Sequence, residues 1–188
     1  LSQAVNPISS AFRNRHDWSG TFSAFGNIFA EVDILNDFTL RTSYGVDYSG
    51  GNSWNVTQKT YENAENTSTS SLSRSMSSSL NWTWTNTLTY NKRIGQNTIK
   101  VLLATEAINN YSDNVSAARE DYDLIDDPNF VVLNSGLGVQ SNSGSFSRTA
   151  LSSMFSKIDY SYADKYLLNA TIRRDGSSKF GPNYRYGL

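Results

Sequence analysis

The stretch FTLRTSYGVDYS at residues 38–49 decides the fold class, because its side chains alternate between two kinds. A strand points successive side chains to opposite faces of a sheet, whereas a helix would spread them around its axis. The period of two therefore predicts a β-strand with one largely apolar face. That face carries Phe38, Leu40, Thr42, Tyr44, Val46 and Tyr48, and the opposite face carries Thr39, Arg41, Ser43, Gly45, Asp47 and Ser49.

Similar alternation elsewhere predicts five more strands, which pair into three hairpins. Two of them are less regular. Phe25 and Phe29 fall on the polar side of the first strand, and the register of the fourth is left open by its continuous apolar middle. The predicted strands cover residues 21–34, 38–49, 78–91, 98–108, 151–162 and 166–175, the short turns 35–37, 92–97 and 163–165, and the long connections 50–77, 109–150 and a third from Gly176.

The connections alternate in length, and this asymmetry separates two kinds of β protein. Compact soluble domains rarely contain structureless loops beyond about 12–15 residues. Outer-membrane barrels combine short periplasmic turns with long extracellular loops, and their strands need about 9–11 residues to cross the bilayer. The predicted fold is thus all-β: an antiparallel transmembrane β-barrel segment of about six long strands in three hairpins. No stretch is apolar for the roughly 18 residues that a membrane helix needs, and residues 1–18 do not read as a signal peptide.

The two faces of the predicted strands suit two environments. A Lys or Arg facing lipid at the bilayer midplane would cost roughly 2–4 kcal/mol, so the charged faces are expected to meet a wet lumen. Aromatic residues near the strand ends fit the girdles that such barrels place at the membrane interfaces. The lumen-facing candidates are Arg41, Asp47, Glu106, Lys157, Asp159, Arg173 and Asp175, with Lys100 beside them, and the lipid-facing candidates are Leu40, Tyr44, Val46, Leu80, Trp82, Trp84, Leu168 and Ile172.

Three stretches resemble one family of membrane proteins. They are WTWTNTLTY at residues 82–90 with VLLATEA at 101–107, the section 27–48 that ends in RTSYGVDY at 41–48, and YSYADKYLLNATIRRDGSSKFGPN at 160–183, the most specific of the three. All are similar to the barrel of SusC/RagA-type TonB-dependent transporters of Bacteroidota, and the resemblance covers nearly the whole chain. Residues 1–188 are therefore expected to be part of such a barrel, with the plug domain and the remaining strands outside this sequence.

The resemblance implies a transport function and several partners. Members of this family import oligosaccharides or peptides across the outer membrane. A SusD-like surface lipoprotein covers the outer mouth, and the TonB complex supplies energy through the plug domain. The lumen-facing candidates would then also be plug-contacting candidates. The chain would be an outer-membrane wall segment, in contact with lipid, that has no catalytic role.

Other functional classes find little support in the sequence. The net charge of −1 does not favour nucleic acid, and the absence of Cys removes disulfides and thiolate metal sites. His16 is the single histidine, expected in a solvated loop, which removes most Ser/His/Asp and His-metal schemes. No cofactor, metal or catalytic residue is predicted. An acidic cluster at Glu120, Asp121, Asp123, Asp126 and Asp127 could bind Ca²⁺ but more readily forms a solvated loop.

Two alternatives to the importer remain open from the sequence. One is a passive porin or a barrel-anchored adhesin, and the other is a secreted carbohydrate-binding β-sandwich. A sandwich would show turn signals every 8–12 residues or so, which this sequence lacks. Six aromatic residues in the outer loops are candidates for contact with sugar rings or with the lipoprotein: Tyr48, Trp54, Tyr61, Tyr111, Tyr122 and Phe130.

Overall fold

A computed structural model describes residues 6–61 and 66–187 as one antiparallel sheet of seven strands, in which each strand pairs with its neighbour in sequence. One sheet is the arrangement of a barrel wall, whereas a β-sandwich requires two packed sheets. The all-β prediction is confirmed. The strands are β1 (Trp18–Ile34), β2 (Phe38–Thr57), β3 (Ser71–Ile94), β4 (Asn97–Glu120), β5 (Gln140–Tyr162), β6 (Tyr166–Ser177) and β7 (Tyr186–Gly187), and a short helix α1 (Pro7–Arg13) precedes them.

The three short turns lie close to their predicted positions and rely on left-handed backbone. Leu35 and Asn36 have φ of 53° and 60°, and Ala163 and Asp164 both have φ of 54°. Two-residue turns with positive φ match the right-handed twist of the flanking strands, which explains why the hairpins close tightly here. The second turn is shorter than predicted, since β4 already begins at Asn97, and Gly95 with φ of 61° supplies its left-handed position.

The strands extend further into the connections than the sequence indicated. The first long connection shrinks from 50–77 to residues 58–70, and the second from 109–150 to residues 121–139. Many of the added strand residues are Ser, Asn, Gly and Thr, and in stretches such as residues 140–145 both faces are polar, so no apolar period marks those stretches. They remain extended because backbone hydrogen bonds to a neighbouring strand do not depend on side-chain polarity. The two-residue strand β7 was also not predicted.

The chain divides into two compact units, each containing parts of the long strands. The loop unit comprises residues 1–23, 49–78 and 112–146, and the turn unit comprises residues 24–48, 79–111 and 147–188. Among the described residues, no helix is both long and apolar enough to cross a membrane.

Candidate functional site

One face of the sheet in the turn unit collects the charged side chains, and we call it the polar face. Arg41 pairs with Glu31 at 3.2 Å, and its guanidinium lies 4.1 Å from the Phe29 ring centre. Thr39 donates a hydrogen bond of 2.7 Å to Asp33. These contacts place the odd-numbered residues of β1 and β2 on the same side. Phe29, which broke the predicted alternation, packs under a cation there.

The densest part of the polar face centres on Arg173. Its Nε donates to Asp175 at 2.8 Å, and its Nη2 lies 3.6 Å from Glu106 and donates to Ser153 at 3.2 Å. The guanidinium also lies over the Phe155 ring, 5.6 Å from its centre. These residues come from β4, β5 and β6, so one side chain connects three strands. The sequence placed Glu106, Arg173 and Asp175 on one face but gave no sign that they meet.

Two more charged candidates pair on this face, and two others do not. Lys157 and Asp159 form an ion pair of 3.0 Å along β5. Asp47 and Lys100 lie on the same face by strand alternation, and neither forms an ion pair with another described residue. All the ion pairs are at least a quarter exposed, so each would add about 1 kcal/mol or less in water.

The opposite face is apolar and aromatic, and we call it the apolar face. The Tyr44 and Trp82 rings stack at 6.0 Å, and Trp84 donates a hydrogen bond of 3.0 Å to Thr42. Phe38 lies 4.7 Å from Tyr90. Most of the large apolar side chains of this face are exposed, which is unusual for a soluble sheet and indicates contact with lipid or protein. The lipid-facing candidates share it: Leu40, Tyr44, Val46, Leu80, Trp82, Trp84, Leu168 and Ile172.

The structure fixes the register of β4, which the sequence left open. Asn86 of β3 donates to Thr105 at 3.5 Å, which puts the odd residues of β4 on the apolar face. The contact between Glu106 and Arg173 puts the even residues on the polar face. The apolar middle of β4 thus has Leu103 on one face and Leu102 and Ala104 on the other.

Contacts among the short turns form a connected rim that the sequence did not reveal. Lys92 pairs with Asp37 across two hairpins, and Arg93 lies 3.6 Å from Asp164. The backbone N–H of Ala163 donates to the carbonyl of Gln96 at 2.7 Å. Neighbouring hairpins are therefore held in register at their turns as well as along their strands.

The loop unit has a small core of its own. Val56, Leu72, Tyr122 and Val131 are buried together, and Trp54, Ile125 and Leu133 pack against them. The connection 121–139 is thus folded rather than a loose loop. Trp54 and Tyr122 are structural here, which removes Tyr122 as a contact for sugar. Tyr48, Tyr61, Tyr111 and Phe130 keep exposed rings.

Two members of the acidic cluster at residues 120–127 bind other side chains of the loop unit. Asp126 accepts hydrogen bonds from Arg15 at 3.2 Å and Gln58 at 2.7 Å, and Asp121 pairs with Lys59 at 3.3 Å. In the described part of the chain, no three His, Cys, Asp or Glu side chains converge as metal ligands. Asp126 and Asp121 attach the connection to residues 15, 58 and 59 of the same unit. His16 is half-buried and lines a cavity of about 310 Å³ with Trp18 and Trp54.

Tyr122 gives a testable pH dependence. Its side chain is 4% exposed, and its hydroxyl has no hydrogen-bond partner among the described residues. Burial raises the pKa of the Tyr122 phenol above 10.0, and the nearby Arg119 opposes this rise. A raised folded pKa means that its contribution to stability is complete below pH about 10 and is lost as the pH rises through the folded pKa.

We therefore expect Tyr122→Phe to leave the stability of the connection unchanged or slightly raised at pH 7, because no hydrogen bond is lost. As the pH rises above 10, the wild-type connection should open progressively more easily, whereas the stability of the variant connection should not change through this residue. Limited proteolysis of the full-length protein at pH 8 and pH 10.5 measures both effects. Tyr61→Phe is the control, since the Tyr61 ring is exposed. A variant that opens at the same pH as the wild type would contradict the assignment.

Comparison with known proteins gives relatives in sequence and in fold. No protein-family model matches the chain. The chain is 31% identical over 103 residues, 55% of its length, to TonB-dependent receptor P3 of Formosa agariphila. It is 58% identical over 38 residues, 20% of its length, to TonB-dependent receptor P39 of the same organism. These matches span 10% and 4% of the two receptors, so the chain corresponds to a small part of each.

Solved structures show the same wall architecture. A chain of the RagAB peptide importer in its open-open state matches 96% of this chain with a TM-score of 0.85 at 21% identity. A chain of the RagAB peptide transporter matches 92% with a TM-score of 0.80 at 19% identity. The matched part is 20% of each of those chains. At this identity the likeness establishes the fold.

Proposed function

We propose that this chain, which is a segment of a SusC/RagA-type TonB-dependent transporter, forms part of the barrel wall of an energy-coupled outer-membrane importer. One observation carries the proposal: the turn unit has an exposed apolar face and, on the other side of the same strands, a face that holds its ion pairs. In a closed barrel, the apolar face would meet hydrocarbon on the outside and the polar face would meet water on the inside. This segment would have a structural role in the importer and would take part in no chemical step.

The polar face is proposed to line the lumen. Arg41, Asp47, Glu106, Lys157, Asp159, Arg173 and Asp175 would face water or the plug domain. The Arg173 cluster would stiffen the wall across three strands, so that movement of the plug does not deform it. The short turns would lie on the periplasmic side and the folded connection 121–139 on the extracellular side, as in other barrels of this type.

The cargo and partners follow by analogy with the relatives. The solved relatives are named as peptide importers, so peptides or oligosaccharides of similar size are the proposed cargo. A SusD-like lipoprotein would cover the extracellular mouth, and the TonB complex would act through the plug domain. The exposed rings of Tyr61, Tyr111 and Phe130 are suitable contacts for either the cargo or the lipoprotein.

Uptake by cells that express the full-length transporter tests this function against the passive alternatives. We expect accumulation of a labelled oligosaccharide or peptide to fall at least about tenfold when an uncoupler collapses the proton motive force. Deletion of the plug segment that contacts TonB should have the same effect. Accumulation that continues unchanged with the uncoupler would indicate a passive porin, and no accumulation of either cargo class in untreated cells would favour an adhesin.

A further inference from the structure

The apolar face of the turn unit contains a groove of about 510 Å³. Its walls are almost wholly hydrocarbon, and it lies between two sets of aromatic rings. The Phe38–Tyr90 pair lies towards the short turns, and the Tyr44–Trp82 pair lies further along the same strands. The main lining side chains of the groove are Leu40, Leu88, Leu103, Met154, Ile172 and Arg174.

Arg174 is the exceptional member of this lining. It is an exposed cation on a face of aliphatic and aromatic residues, and among the described residues no carboxylate pairs with it. Its neighbour Arg173, on the opposite face, pairs with both Asp175 and Glu106. By strand alternation, no described Asp or Glu in the strands of this unit lies on the apolar face. The guanidinium is therefore available to an external anion.

The position of the Arg174 side chain is fixed by an aromatic ring. Its guanidinium carbon lies 4.6 Å from the centre of the Tyr186 ring, in cation–π contact. The ring lies directly against Gly176, where an added Cβ would come within 2.5 Å of its edge. A side chain at Gly176 would displace Tyr186, and the guanidinium would lose its support.

A second, smaller groove of about 280 Å³ adjoins Tyr186 and contains another arginine. Trp82, Ala107 and Arg185 are among the residues that line it. Arg185 also donates a hydrogen bond of 3.3 Å to the carbonyl of Phe180. Tyr186, whose ring lies in cation–π contact with Arg174, lines this groove together with Arg185.

The depth of Arg174 in a membrane can be estimated from β6. Arg174 is eight residues beyond Tyr166, the aromatic residue at the short turn. At about 3.4 Å per residue and a tilt of about 45°, this separation spans roughly 19 Å of an apolar band about 25 Å tall. Arginines extend from such a depth to the lipid head groups. Arg174 would thus reach the boundary on the side away from the short turns.

We propose that these grooves bind a phosphorylated acyl glycolipid of the outer leaflet, with acyl chains along Leu103, Met154 and Ile172 and a phosphate held by Arg174 and Arg185. Guanidinium groups bind phosphate through paired hydrogen bonds, which favours a phosphate on a large head group over a zwitterionic lipid. This inference rests on the proposed function, because it requires the apolar face to meet lipid. It adds a specific lipid site to that face.

Binding of lipid A to the full-length transporter in nonionic detergent, followed by native mass spectrometry, tests the site. We expect the double variant Arg174→Ala/Arg185→Ala to bind lipid A at least about tenfold more weakly than the wild type. Met154→Trp, which fills the groove and leaves both arginines intact, should also weaken binding. Arg93→Ala is the matched control, since Arg93 is an exposed arginine at the short turns, and it should bind as the wild type does. Heat-modifiable migration on gels verifies that each barrel is folded.

Phosphatidylglycerol and phosphatidylcholine are the comparison lipids in the same binding measurement. Both should bind more weakly than lipid A, and the double variant should not discriminate among the three lipids. Equal binding of lipid A by the wild type and the double variant overturns the site, and phosphatidylglycerol binding as tightly as lipid A overturns the glycolipid assignment. Uncoupler-sensitive uptake by the same protein is measured separately, so a transporter that imports cargo without selective lipid A binding refutes this inference and leaves the proposed function intact.

Discussion

Ile172→Arg is expected to destabilise the folded full-length protein by roughly 2–4 kcal/mol, the cost of placing Arg against lipid near the bilayer midplane. Ile172 is 62% exposed on the apolar face and lies six residues from Tyr166, or roughly 14 Å into an apolar band about 25 Å tall. Its side chain is short of both boundaries, so an arginine there cannot easily reach water. The midpoint of guanidinium unfolding in lipid vesicles measures the change.

Thr171→Arg is the control for this prediction, because Thr171 is adjacent in sequence but lies on the polar face. It opposes Lys157 across β5, so repulsion adds at most about 1 kcal/mol. The two variants should therefore differ clearly. If Thr171→Arg destabilises the protein as much as Ile172→Arg does, the assignment of the two faces to lipid and water is wrong.

Leu72→Ala is expected to open the connection 121–139. Leu72 is 0% exposed in the core of the loop unit, and truncation of buried Leu typically costs 2–5 kcal/mol. Because this core contains Tyr122 and Val131, the loss falls on the connection that supplies them. A loss of 2 kcal/mol lowers hydrogen-exchange protection about thirtyfold. Exchange measured on the full-length protein, peptide by peptide, reports the change in residues 121–139.

Leu137→Ala provides the comparison within the same connection. Leu137 is 68% exposed, so its truncation should change exchange there by less than about threefold. Peptides from the turn unit, such as residues 151–162, should keep their protection in both variants. Uniform loss of protection over the whole chain in Leu72→Ala would show that the connection has no independent core.

The strands with one apolar face could be predicted from the sequence because period-two alternation is a direct consequence of a half-apolar environment. Residues 38–49 and 166–175 show this most clearly, and both lie inside observed strands. Charged residues were assigned to one face by the same rule. The ion pairs of Arg41 with Glu31 and of Arg173 with Glu106 show that these residues lie on the same face. The most specific part of the family resemblance, residues 160–183, contains the third short turn and the whole of β6.

The strand extensions, the core of the loop unit and the grooves could not be predicted, for different physical reasons. Strand residues such as 140–145 have two polar faces, so they carry no periodic signal. Leu72 and Tyr122 are distant in sequence and are brought together by the pairing of β3 with β4. Alternation alone places Arg174 on the same face as Ile172, but its contact with Tyr186 could not be predicted, because residues beyond Gly176 were expected to form a long connection.

The most direct test labels single cysteines along β6 of the full-length protein in lipid vesicles. The chain contains no Cys, so each site from 167 to 173 can be examined alone against a background without native thiols from this segment. Spin labels at sites 168, 170 and 172 should be accessible to oxygen. Spin labels at sites 167, 169, 171 and 173 should be accessible to a water-soluble nickel chelate. Accessibility to the nickel chelate without this period of two, or at sites 168, 170 and 172, would contradict the barrel-wall account.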